Sequence, residues 1–123
     1  MAKFVLTSTS NGFRFNLVAG NGQVIATSQV YASVDTAKAG IASIVTNAPI
    51  ANIENQTEKD FQDEVNPKFE VSEDTGGEFR FRLKAKNGQI IAASEGYTKI
   101  DSCLNGIESV KKNAPEATIE ENL

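Results

Sequence analysis

The sequence predicts an α+β fold: two tandem β-β-β-α-β units sharing one antiparallel-rich sheet, with two helices on one face. Three observations carry this. The segment NGQVIATSQVYASVD at 21–35 returns as NGQIIAASEGYTKID at 87–101. Within each copy, apolar residues first recur every second position and then at three- and four-residue steps. The chain has 123 residues, 40% hydrophobic and 23% charged, the composition of an ordinary globular domain.

At a constant offset of 66, 21 of the 41 positions from Phe13 to Ile53 are identical to their counterparts from Phe79 to Ile119. They include Phe13-Arg14-Phe15, Asn21-Gly22-Gln23, Ser28, Tyr31, Asp35, Gly40-Ile41 and Asn47-Ala48-Pro49. Upstream, Lys3-Phe4 answers to Lys68-Phe69 if the first turn of the second copy has one extra residue. Net charge is +1 over residues 1–55, −3 over 56–67 and −2 over 68–123. The expected organisation is therefore a first repeat (1–55), an acidic connector (56–67) and a second repeat (68–123). A unit of about 55 residues buries a small share of its surface and is marginal alone. Two copies are too few for a solenoid. The expected form is a compact pseudo-dimer, monomeric as a chain, in which each copy covers the other.

The first strand of each unit is short, marked by Phe4 and Leu6, which the pattern pairs with Phe15 and Phe13. In the second, Phe13, Phe15, Leu17 and Ala19 alternate with Arg14, Asn16 and Val18, as in a half-buried strand. Asn21-Gly22 reads as the centre of a type I′ hairpin turn. That register sets Ala19 opposite Val24, Leu17 opposite Ala26 and Phe15 opposite Ser28. A helix follows, with Val34, Ala37, Ile41, Ile44 and Ala48 on its apolar face, and Ile100, Cys103, Ile107, Val110 and Ala114 in the second copy. Ser33 or Asp35 suits the first cap, and Asp101, or Thr98 with Asp101, the second. Asn47 and Asn113 suit a left-handed stop before Pro49 and Pro115. Short closing strands are expected at 51–54 and 117–120.

The stretch FRFRLKAKNGQIIAASEGYTKIDSCLNGIESVKKNAP (79–115) resembles the YegP-like family of small prokaryotic proteins, and 13–49 is a looser copy of it. The resemblance rests on N-G, S-x-x-Y, G-I and N-A-P at these spacings. It implies single units that dimerise or tandem pairs, and one sheet whose final strands are exchanged between units. It implies no activity, because the family's role is uncharacterised. The first copy departs from the pattern where Gln29-Val30 replaces Glu95-Gly96 and Val45-Thr46 replaces Lys111-Lys112.

Several chemistries are disfavoured. AGNG at 19–22 lies between strands, whereas a phosphate-cradling loop opens a helix. Ser28, Tyr31 and Asp35, with Ser94, Tyr97 and Asp101, form a catalytic-looking set. The chain has no histidine, and neither copy offers a matching lysine as base. They read instead as a strand end, a packed ring and a helix cap. Cys103, alone of its kind, falls on the apolar helix face as a small hydrophobe. No enzyme activity, cofactor or metal is expected. The N-terminus carries no apolar run of signal-peptide length, and no stretch approaches the roughly 18 apolar residues that suggest a membrane span. A cytoplasmic, bacterial protein is expected.

The outer face of the sheet is the expected functional surface. In the first copy Val5, Arg14, Val18 and Ile25 point outward, three of them apolar, and suit a protein partner. Alternatively, Phe61 and Val65 of the connector fold back over them. In the second copy Arg80, Arg82, Lys84 and Lys86 point outward and could meet single-stranded nucleic acid or another polyanion. No aromatic residue interleaves there to stack bases. Net charge of −4 disfavours such a partner. The expected register also sets Glu70 and Glu95 opposite Arg80. The leading reading is a non-enzymatic interaction module, polyanion binding second, a small hydrolase last.

Overall fold

The computed structural model describes residues 1–123. The strands are β1 (Lys3–Thr9), β2 (Gly12–Val18), β3 (Val24–Thr27) and β4 (Asn52–Asn55) in the first repeat. The second supplies β5 (Lys68–Glu73), β6 (Phe79–Lys84), β7 (Ile90–Ala93) and β8 (Thr118–Asn122). Helices α1 (Val34–Asn47) and α2 (Ile100–Asn113) each run into a 3₁₀ turn, Ala48–Ile50 and Ala114–Glu116. All eight strands form one sheet in the order β4-β5-β6-β7-β3-β2-β1-β8.

This order shows the exchange. β4 leaves its own repeat and lies parallel to β5 of the other, while β8 lies parallel to β1. The remaining pairings are antiparallel, and the two repeats meet at the sheet's centre through Thr27 opposite Ala93. Helix α1 packs on β2 and across the seam on β7; α2 packs on β6 and across it on β3.

The inner face follows the predicted period. Phe4, Leu6, Phe15, Leu17, Phe69, Val71, Phe81 and Leu83 are fully buried, together with Ile44, Cys103, Ile107 and Val110 from the helices. Phe4 meets Phe15 edge-on at 5.7 Å, and Phe69 meets Phe81 the same way. Tyr31 stacks on Phe15, and Tyr97 on Phe81. The tyrosine hydroxyls reach the helices at Gly40 and Gly106, where a Cβ would overlap them. These helical glycines are needed for room rather than for backbone freedom.

Four local readings are corrected. Phe4 lies opposite Leu17 and Leu6 opposite Phe15; the slip is two residues, so every side chain keeps its face. The second hairpin is not a type I′ turn. Gly22 N–H donates to Ala19 O at 2.9 Å and Ala19 N–H to Gln23 O at 2.8 Å. No non-glycine residue has positive φ, whereas Gly22 stands at +86° and Gly88 at +85°. The loop is thus Gly20-Asn21-Gly22, with the left-handed glycine as a bulge. The central residues need no special φ, which is why Lys86 can replace Gly20. Leu17 still faces Ala26, but Val18 now faces Val24.

At the helix ends, Ser33 caps α1 through Thr36 in a reciprocal box, whereas α2 begins after Lys99 with no side-chain cap. Asp101 instead occupies the first turn of α2, with Lys111 and Lys112 in its last turn, each complementing the helix dipole. Asn47 and Asn113 are right-handed. Their Nδ2 groups donate back to Ser43 and Ser109 while the chain tightens into the 3₁₀ turn.

Candidate functional site: the open sheet face and the seam

With both helices on one side, the other side of the sheet is open, and its two halves differ. On the second repeat's half, alternation sends Lys68, Glu70, Arg82 and Lys84 outward, and β4 adds Glu54. Lys68 Nζ lies 2.7 Å from Glu54 Oε1 and 3.4 Å from Glu70. Arg82 Nε approaches Glu70 Oε1 at 2.6 Å and Lys84 Nζ approaches Oε2 at 3.3 Å. Glu54 also accepts from Gln56 Nε2 and from the connector amide of Glu64. Burial alone would raise its pKa, but these donors, Lys68 foremost, hold it down at about 2. Burial likewise opposes ionisation of Glu70, and Arg82 and Lys84 prevail to lower its pKa.

The predicted polyanion strand is therefore largely neutralised. Arg80 pairs with Asp74 at 2.8 Å, not with Glu70. Arg82 and Lys84 share Glu70. Lys86 lies in the hairpin loop and has no acidic partner among the ion pairs.

On the first repeat's half the same lattice positions read differently. Lys3 and Glu120 keep the pair equivalent to Lys68 and Glu54, at 3.0 Å and more exposed. Beyond it, Val5 faces Asn16 where Glu70 faces Arg82. Asn16 Oδ1 is buried and accepts no hydrogen bond. Val5 and Val18 are half-buried and Arg14 is exposed. Ile25 departs from the expected position: the bulge at Leu17/Val18 turns it to the helix side, 8% exposed among the core residues. Val24 takes its outward place, 37% exposed. The connector does not cover this half. Its hydrogen bonds go to Asn52 and Glu54 of β4, at the opposite edge of the sheet, and Val65 is exposed.

The serine–tyrosine–aspartate set has structural work. Ser28 Oγ accepts from Phe15 N–H at 2.9 Å and donates to the Gln29 carbonyl at 2.7 Å. Ser94 repeats this with Phe81 and Glu95. No group able to take a proton bonds either hydroxyl. Burial pushes the Cys103 thiol up to about 11, which keeps it protonated and unreactive.

Sequence reasoning missed two clefts on the helix side. One, about 290 Å³, lies between the 19–25 hairpin of the first repeat and α2 with Tyr97 of the second. The other, about 260 Å³, lies between the 85–91 hairpin and α1 with Tyr31. The available signal was the retention of Asn21, Gln23 and Ser43 as Asn87, Gln89 and Ser109, although all lie outside the core.

A family described as a domain of unknown function (DUF1508) matches residues 8–55 and again 74–121. The chain belongs to the DUF1508 family. A relative, the UPF0339 protein YegP of Escherichia coli strain K12, is 40% identical over 115 residues, covering 94% of this chain and 91% of that protein. The solution structure of the E. coli protein superimposes with a TM-score of 0.79 at 39% identity, covering 98% and 92% of the two chains. A UPF0339 protein of Methanosarcina acetivorans matches one repeat only, 62% identical over 52 residues, 42% of this chain but 90% of its own length. That relative is thus about the length of one repeat, whereas the E. coli protein matches both. The family is one of unknown function, and no helix of this chain is long and apolar enough to cross a membrane.

Proposed function

We propose that this protein is a non-enzymatic interaction module, and that another protein docks on the first repeat's half of its open sheet face. The observation that carries this is the replacement of the charged facing pair Glu70–Arg82 by Val5–Asn16, beside the outward Val18 and Val24. A docked surface with apolar side chains against Val5, Val18 and Val24 takes this aliphatic patch out of water. Arg14, exposed and free of an acidic partner, suits an acid at the rim of such a partner.

The test is affinity capture with the intact chain, a Val18→Lys variant and a Lys86→Glu variant. A protein retained by wild type and Lys86→Glu but lost with Val18→Lys supports the reading. Capture that ignores Val18 while failing with Lys86→Glu removes it and favours the basic strand. Gel mobility with single-stranded DNA at low and high salt checks that alternative directly, because phosphate contacts weaken steeply with salt.

A further inference from the structure

We infer that the two clefts at the repeat–repeat seam are a duplicated binding site for an uncharged carbohydrate residue, one per cleft. This goes beyond the docking face, lies on the opposite side of the sheet and does not depend on it.

The repeats agree around the clefts and differ on the open face. Outward strand positions have diverged: Val5 became Glu70, Asn16 Arg82, Val18 Lys84. Around the clefts the lining is retained: Asn21, Gln23, Ile25, Tyr97 and Ser109 on one side of the molecule, Asn87, Gln89, Ile91, Tyr31 and Ser43 on the other. Some of these have internal duties. Asn21 Oδ1 receives Gln23 N–H within the turn, and Ser109 Oγ receives Asn113 Nδ2. The Gln23 and Gln89 side chains have none: only the backbone N–H and carbonyl of each enter the hydrogen bonds of the hairpin, and both residues are exposed. A surface amide without internal work has no structural reason to be kept twice.

Neither cleft is lined by a charged side chain. Each offers three carboxamides, a serine hydroxyl, a second hydroxyl from Ser102 or Thr36, and a tyrosine whose pKa burial raises. Ile25 or Ile91 supplies an apolar wall. Neutral donors and acceptors beside an aliphatic wall match a sugar ring, which has hydroxyls at its rim and C–H groups on its face. A nucleotide would bring phosphate to a site with no cation. A peptide added as a strand needs a free strand edge, and a hairpin tip against a helix has none. The volumes fall just below the range of drug-sized ligand sites, roughly 300 Å³ and upward, which limits the occupant to about one ring.

Each cleft takes its hairpin from one repeat and its helix and tyrosine from the other, so a single repeat cannot build one. The third carboxamide comes from a different place in each: Asn105 of α2 in one cleft, and in the other Gln29, after β3, where α1 has Ala39. The two sites should therefore be similar but unequal.

The test is an amide-resolved NMR titration of the intact protein with methyl glucoside, N-acetylglucosamine and their disaccharides. Uridine monophosphate and an N-acetylated dipeptide amide serve as competing classes. The expected result is shifts confined to residues 21–25, 87–91 and the facing turns of α1 and α2, with two sites per chain. Gln23→Ala should weaken the α2-side site roughly fivefold, the equivalent of about one hydrogen bond, and leave the other unchanged. Gln89→Ala should do the reverse. Asn105→Ala, at an exposed helix position, should weaken the α2-side site alone. No sugar response at high millimolar concentration, a response to the nucleotide or peptide only, or sugar shifts indifferent to Gln23 and Gln89 would each overturn the assignment.

Discussion

Glu70 and Arg82 face each other across β5 and β6 and close a 2.6 Å ion pair; at the same place in the first repeat stand Val5 and Asn16. A symmetric dimer of single units must carry the same pair twice. Fusing two units into one chain allows one copy to keep it and the other to lose both members together. Restoring the pair is a direct probe. Val5→Glu with Asn16→Arg should show a favourable coupling of about 0.5–1 kcal/mol in a double-mutant cycle by urea unfolding, falling with added salt. Zero coupling would mean that the two halves do not share the lattice described.

Glu54 provides the pH test. Its folded pKa of about 2 lies below the ordinary carboxylate range. A depressed carboxylate contributes stability that is complete above its unfolded pKa, about 4.3, and is lost as pH falls toward 2. On the order of 3 kcal/mol should disappear across that window. Glu54→Gln should flatten the acid limb of the stability curve, read by urea midpoints at stepped pH. An unchanged limb would detach Glu54 from acid unfolding. Lys68→Met should be worse than Glu54→Gln at neutral pH, because it leaves Glu54 buried with its principal cation removed.

The glycines beneath the tyrosines invert a familiar rule. Alanine is favoured over glycine in a helix by up to about 1 kcal/mol. At Gly106 a Cβ would crowd the Tyr97 hydroxyl and approach Phe81 Cε2 at 3.1 Å. Gly106→Ala should therefore destabilise by about 1–3 kcal/mol, the usual cost of overpacking. Thermal unfolding checks the sign, and a rise in Tm would contradict the packing role.

Strand exchange dictates how the repeats behave apart. Residues 68–123 alone would expose the β5 edge that β4 covers, and β8 would lose its acceptor β1. The expected outcome is a self-associated dimer, each chain donating β8 to the other, or an unfolded chain. Sedimentation of the isolated second repeat distinguishes these. A well-folded monomer at micromolar concentration would contradict the exchange.

Much of this molecule was legible in its residues. The repeat set two units, the period-two runs through Phe13–Leu17 and Phe79–Leu83 set the inner face, and the three- and four-residue steps set both helices. These depend on near neighbours, where side-chain period and backbone geometry are tied together. What the sequence left open depends on residues distant along the chain. Ile25 read as outward because alternation presumes an unbroken ladder, and a bulge selected by the three-residue loop turned it inward. The pairing of Arg82 with Glu70 rather than Arg80 required the register of β5 on β6. The clefts were invisible for the same reason: Gln23 and Ser109 belong to different repeats and meet only because α2 crosses the seam onto β3. Tertiary structure decided these because a local pattern specifies which face a residue takes, while the docking of one repeat on the other specifies what that face meets.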